Sequence, residues 1–145
     1  MQVHTVVESK NIALDFLERS FYQLRSCAVF ILVFIATKDK SVLLVLKMAA
    51  QLDPSWQVQE IIDKAFDQFC SDNGYQNSLP EITEWLADDN PKVCRAVTEG
   101  LRICTGRPYF KGRPEHAVSL ISQHKAGDNE YLRKSVGNAL RDISK

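Results

Sequence analysis

The chain has no apolar run long enough to cross a bilayer. Its longest, residues 27–36, is bracketed by Arg25 and Lys38. That is about half of the roughly 20 residues a spanning helix requires, so it reads as a buried core helix with no membrane contact. No basic segment followed by an apolar stretch opens the sequence, so a signal peptide is not supported and a cytoplasmic location is expected. The four cysteines, Cys27, Cys70, Cys94 and Cys104, form no CxxC pair, and His4, His116 and His124 do not stand at ligand spacing to them. Buried free thiols are expected, with no metal and no cofactor. Glycine-rich phosphate loops, the H-E-x-x-H pair and the serine-hydrolase elbow are also missing. Net charge is zero, 18 basic residues balancing 18 acidic, which argues against a strong non-specific nucleic-acid binder. Strand patterns are lacking as well: residues 42–46 are apolar but sit inside a helix-length segment without turn residues.

What is present is an ordinary globular balance. A chain of 145 residues, 45% hydrophobic and 25% charged, makes one domain, residues 1–145, able to bury a core. The neutral total hides an asymmetry. Residues 1–90 carry 7 Lys/Arg against 13 Asp/Glu, net −6, and residues 91–145 carry 11 against 5, net +6. A basic end of this kind suits phosphates, although charged helix faces are common without any such role.

Proline, glycine and small polar residues mark helix ends. Asp53-Pro54 and Asn90-Pro91 each pair a capping side chain with proline at the first helical position. Ser78-Leu79-Pro80-Glu81 has the form of a capping box, and Asp128/Asn129 caps the last helix. Gly74, Gly106 and Gly127 follow helical stretches, where a left-handed residue closes the final turn. Eight helices in four pairs are predicted: first members near 6–19, 39–50, 79–88 and 114–125, second members near 21–37, 54–71, 91–105 and 129–144. The longest loop is 106–113. The second members repeat one pattern. Anchors Leu24, Val58, Val93 and Leu132 lie 34, 35 and 39 residues apart, each followed by apolar residues one and two turns later. That period predicts an all-α fold, an α-α superhelix of HEAT-like type with about four helix pairs, whose corresponding helices line one surface.

The position two after each anchor reads Ser26, Glu60, Arg95 and Lys134. Trp56 precedes Glu60 by four residues and projects from the same side of its helix. Arg95 takes the register of Glu60 one repeat later, and stacked helices lie about 8–10 Å apart, so its guanidinium reaches the carboxylate or a phosphate beside it. An indole, a carboxylate and an arginine on one face form a cradle for a cationic ligand next to a phosphodiester. The bland alternatives are an i,i+4 pair of Glu60 with Lys64 and a core role for Trp56. In the loop, Arg107, Lys111 and Arg113 flank Tyr109 and Phe110, a pairing suited to phosphates, unless the aromatics plug the seam between repeats. Arg133 and Lys134 at the last helix start either contact phosphate or are solvated.

Residues 56–145 resemble the AlkC/AlkD-like DNA alkylation repair family of HEAT-like glycosylases. The strings that carry the resemblance are Trp56-Gln57-Val58-Gln59-Glu60, Lys64-Ala65-Phe66-Asp67, the run from Arg95 through Glu99 to Arg102, Arg107-Pro108-Tyr109-Phe110-Lys111, and the final segment 131–145. Residues 20–50 fit the same repeat less distinctively. The resemblance implies hydrolysis of the N-glycosidic bond of N3- or N7-alkylated purines in double-stranded DNA, lying in a concave basic cleft. It places Glu60 as the catalytic carboxylate, Trp56 as the aromatic one turn earlier, and Arg95 as a cleft arginine; Arg107, Lys111, Arg133 and Lys134 are lower-ranked candidates for DNA contact from their residue types alone. Two departures stand out: Asn138 falls where the AlkD branch has a second cleft tryptophan, and Glu60 stands where that branch has aspartate. Family members are usually longer. The alternative is a non-catalytic HEAT module binding DNA or protein along the same groove. The last helix leaves Val136, Leu140 and Ile143 without a following repeat, so they find cover inward, or the chain is a shortened one, or this helix docks on a second copy.

Overall fold

The computed structural model describes residues 5–104 and 108–144. In chain order the helices are α1 (Val6–Leu17), α2 (Tyr22–Ile35), α3 (Val42–Leu52), α4 (Trp56–Asn73), α5 (Leu79–Leu86), α6 (Pro91–Cys104), α7 (Pro108–Lys111), α8 (Pro114–Ser122) and α9 (Glu130–Ile143). The described residues are all helix, turn or irregular, with no strand among them. Helices α2, α4, α6 and α9 pack side by side in sequence order to form one layer, and α1, α3, α5 and α8 back onto them. This is the α-α superhelix of four helix pairs that the repeat period predicts.

The apolar stripes explain the layering. Val58, Ile62, Phe66 and Phe69 recur at helical spacing along α4, and Val93, Val97 and Leu101 along α6. All are buried, within one core cluster that runs from Ala13 to Ala139. Gly100 sets the approach of α6 to α4, since a Cβ there would stand 3.3 Å from the backbone oxygen of Asp63. The apolar residues of the last helix gain part of their cover from the preceding helices. Val136 is buried, and Leu140 and Ile143 pack against the core.

Several helix ends differ from expectation. Helix α4 starts at Trp56 rather than at Pro54, because the Asp53 carboxylate caps nothing. It accepts the Ser55 amide at 2.8 Å and pairs with Arg25, while Ser55 serves as the N-cap. Ser78 makes no capping bond with its side chain; its hydroxyl donates to the Gly74 carbonyl at 3.1 Å. Helix α3 begins at Val42, three residues later than predicted, because Asp39 folds 39–41 into a turn by accepting the Ser41 amide and hydroxyl. Asn90 and Asn129 cap as expected, accepting the amides of Lys92 and Leu132. Gly74 has φ 84 and closes α4, whereas Gly127 does not adopt positive φ; Gly106 lies outside the described residues. The predicted loop 106–113 contains the short helix α7. Cys70 and Cys94 are buried free thiols, Cys27 is exposed, and the side chain of Cys104 lies outside the described part. Among the described residues no helix is long and apolar enough to cross a membrane, and no group of side chains could hold a metal ion.

Candidate functional site

Trp56 occupies the first position of α4 and is 69% exposed, so it is not a core residue. Glu60 follows one turn later on the same open side, and Lys64 one turn beyond that is exposed as well. The Glu60 carboxylate does not pair with Lys64. It crosses the α4–α6 seam and accepts from Arg95 Nη2 at 2.8 Å. The shared register of Glu60 and Arg95 therefore does bring the two together, but Arg95 does not line the open groove. Arg95 is only 6% exposed, because the close approach of α6 to α4 leaves its side chain inside the seam rather than in the groove. Ser26 is buried too, so the register position lines an open surface only at Glu60 and Lys134.

A second carboxylate holds the arginine. Asp63, 2% exposed and one turn after Glu60, accepts from Arg95 Nη1 at 2.9 Å. The Tyr131 ring of α9 covers the guanidinium from the other side, 4.9 Å from its carbon to the ring centroid. Neither Asp63 nor Tyr131 was singled out from sequence. The signal for Asp63 was available: it stands three residues after Glu60, within reach of the same partner across the seam.

The electrostatics of this cluster are unusual. Burial pushes the Asp63 carboxyl up to about 8. Arg95 opposes the shift, and the nearby Glu60 and Glu99 carboxylates add to it. Burial also works against the charge on Arg95, yet Asp63 and Glu60 more than offset it and keep the guanidinium protonated. Asp63 therefore takes up a proton far more readily than an ordinary carboxyl, while Arg95 stays charged between it and Glu60. Asp63 Oδ1 and Arg95 Nε are both buried without a hydrogen-bond partner, so the network is not saturated. Half of the Glu60 side chain, 48%, stays accessible. The result is an anchored carboxylate that presents its free edge to solvent beside an open indole.

The remaining predicted contacts are scattered. Lys134 is exposed and pairs with Glu130 at 2.8 Å, and Arg133 donates to the Gly127 carbonyl at 2.6 Å while staying exposed. Lys111 is exposed at the end of α7. Arg107 lies outside the described residues. The neighbouring aromatics plug the seam: Phe110 is buried, and Tyr109 stacks on Tyr75 with centroids 5.9 Å apart while Arg113 lies over its ring at 4.8 Å.

A solenoid of stacked helix pairs places the chain in the class of HEAT-like α-α superhelices. The family profile described as DNA alkylation repair enzyme matches residues 2–145, and the chain belongs to that family. Two solved structures are similar to it. One is smu.31 from Streptococcus mutans UA159, 45% identical with a TM-score of 0.92, the match covering 97% of this chain and 70% of that one. The other is AlkD2 from Streptococcus mutans, also 45% identical with a TM-score of 0.92, covering 97% of this chain and 68% of that one. None of the curated proteins compared with the chain matches it.

Proposed function

We propose that the chain is a DNA glycosylase that hydrolyses the N-glycosidic bond of N3- or N7-alkylated purines in double-stranded DNA. One observation carries this reading: the Glu60 carboxylate is half accessible, fixed at one oxygen by Arg95, and one turn from the exposed Trp56. Alkylation places a positive charge on the purine, so the base departs with the electron pair of the broken bond and leaves as a neutral molecule. Positive charge moves to the sugar as that bond stretches. A preorganised carboxylate opposes that charge where it develops. Water then adds to C1′, and its proton passes to Glu60 and on to solvent. Trp56 supports the cationic lesion and its deoxyribose through its π face.

Arg95 acts here as a positioning residue. Buried under Tyr131 and clamped by two carboxylates, it aims Glu60 rather than gripping phosphate. Phosphate contacts fall instead to exposed cations: Lys64 on α4, Lys111, and Arg133 and Lys134 on α9. Affinity for duplex DNA should accordingly fall as salt rises.

A second reading, a non-catalytic DNA-binding module, is favoured by the same ion pair, because Arg95 neutralises part of the charge that Glu60 would offer. The separating assay is single-turnover release of methylated purine from alkylated duplex DNA. Release of free base, with an abasic site left in the strand, supports the glycosylase. Tight duplex binding without release supports the module.

A further inference from the structure

The geometry points to a second binding site beside Trp56: an aromatic cleft at the starts of α2 and α4 that stacks an unpaired nucleobase. It rests on the proposed reading that DNA lies against the Trp56–Glu60 face. The cleft has a volume of about 530 Å³ and is lined by Phe21, Tyr22, Trp56, Gln23, Gln57 and Arg25, among others. Tyr22 and Trp56 are the first residues of adjacent helices in the α2–α4–α6–α9 layer, and Phe21 is the N-cap of α2 in extended conformation. All three rings therefore project from the layer's end instead of entering the seams. Phe21 is 69% and Tyr22 37% exposed, beside the open Trp56. Three large rings left in water around one cleft form an apolar patch of the kind that marks a binding site.

The chemistry of the walls selects the occupant. Arg25, the only charged side chain lining the cleft, is consumed by a 2.7 Å ion pair with Asp53. That leaves a neutral surface of π faces, and the ring faces of bases stack on such surfaces with little sequence preference. Carboxamides stand at the rim. Gln57 is oriented by the Ser55 hydroxyl, which donates to its Oε1 at 2.8 Å, and its amide protons remain available for a base edge. The neighbouring groove between α1 and α3 provides a contrast, with aliphatic walls of Leu14, Leu17, Val45, Met48 and Leu52. Charged side chains of Asp15, Glu18, Arg25 and Asp53 also line that groove, and it has no aromatic ring. Because Trp56 belongs both to the cleft and to the Glu60 face, a base stacked there is part of the same DNA whose sugar meets Glu60. The occupant is an unpaired base displaced next to the lesion or opposite it.

The test compares a short duplex carrying one unpaired 2-aminopurine opposite an abasic site with the same duplex fully paired. The wild-type chain should bind the unpaired probe more tightly and quench its fluorescence by stacking. In the double variant Phe21→Ala with Tyr22→Ala that preference should fall by roughly ten-fold or more, with affinity for the paired duplex unchanged. Tyr22→Phe, which keeps the ring, should retain the preference. Should the double variant fail to fold, Phe21→Ala alone provides the same comparison. Equal binding of both duplexes by wild type and variant overturns the site, and so does an equal loss on both. If the wild type binds neither duplex, the DNA reading itself has failed. The 2-aminopurine strand without its complement then decides, and no quenching overturns the cleft as well. Quenching of Trp56 fluorescence by a leucine-rich amphipathic peptide, with no response to either nucleic acid, also overturns it in favour of a protein dock.

Discussion

Arg25 and Arg95 both bridge neighbouring helices in this solenoid, and they are satisfied to different degrees. Arg25 on α2 uses every nitrogen. Nε and Nη2 grip Asp53 at 2.7 and 3.2 Å, and Nη1 donates to the carbonyls of Arg19 and Ser20 at 3.0 and 2.7 Å. Asp53 in turn accepts the Ser55 amide, and its own carbonyl receives the Gln59 carboxamide at 3.0 Å. Arg95 on α6 holds two carboxylates on single nitrogens, leaves Nε without a partner, and leaves Asp63 Oδ1 orphaned beside it. The first network ties the end of α3 to the start of α2 and closes a corner of the fold. The second leaves buried polar atoms unpaired, which costs stability, while holding one half-exposed carboxylate at the surface. A network that costs stability and fixes an accessible acid is the pattern expected of a functional site.

The contrast breaks most sharply at its structural half. Asp53→Ala removes the carboxylate from a part-buried guanidinium that keeps two carbonyl acceptors, and loss of such a charged hydrogen-bond partner costs about 1.5–3 kcal/mol. Denaturant unfolding should register most of that loss, and a loss below about 1 kcal/mol would place Arg25–Asp53 among ordinary surface pairs.

The Arg95 half should respond to pH instead. Burial raises Asp63 from 3.8 to about 8, with Arg95 opposing. The folded chain therefore holds a proton that the unfolded chain has lost between about pH 4 and pH 8. Stability from this group is present in full at the acid end and declines as pH rises through about 8. Asp63→Asn removes the titration, so its unfolding free energy should decline less than that of wild type between pH 6 and 9. Identical slopes would mean that Asp63 is ionised in the fold throughout that range.

The smallest effects belong to the glycines. Gly100→Ala puts a methyl 3.3 Å from the Asp63 carbonyl and should cost about 1–3 kcal/mol by forcing α6 away from α4. Gly137 on α9 has nothing within 4 Å of an added Cβ, and Gly137→Ala should stabilise by about 0.5–1 kcal/mol through helix propensity. Thermal melts of the two variants should therefore move in opposite directions, and a shared direction would remove close packing as the reason for Gly100.

Much of the architecture was legible because it rests on local signals. The period of Leu24, Val58, Val93 and Leu132 sets the stacking, and Asn90 and Asn129 mark true helix starts. Asp53 and Ser78 misled because their side chains spend their hydrogen bonds on Arg25 and Gly74, tertiary and turn partners that no local pattern reveals. At the site, Trp56 and Glu60 followed from four-residue spacing on one helix. The burial of Arg95 did not, because it depends on how near Gly100 lets α6 come and on Tyr131 closing over the seam. Register assigns neighbours; the interhelical distance decides which of them reaches solvent.

Glu60→Gln, assayed by single-turnover release of methylated purine from alkylated duplex DNA, bears most directly on whether the anchored carboxylate performs the chemistry. The amide keeps the shape of the side chain and can still accept from Arg95, but it brings no negative charge to the developing cation. With the melting temperature and duplex affinity of wild type retained, the rate should drop by about 10²–10³-fold. Release by Glu60→Gln at the wild-type rate would contradict the account and remove Glu60 from the mechanism.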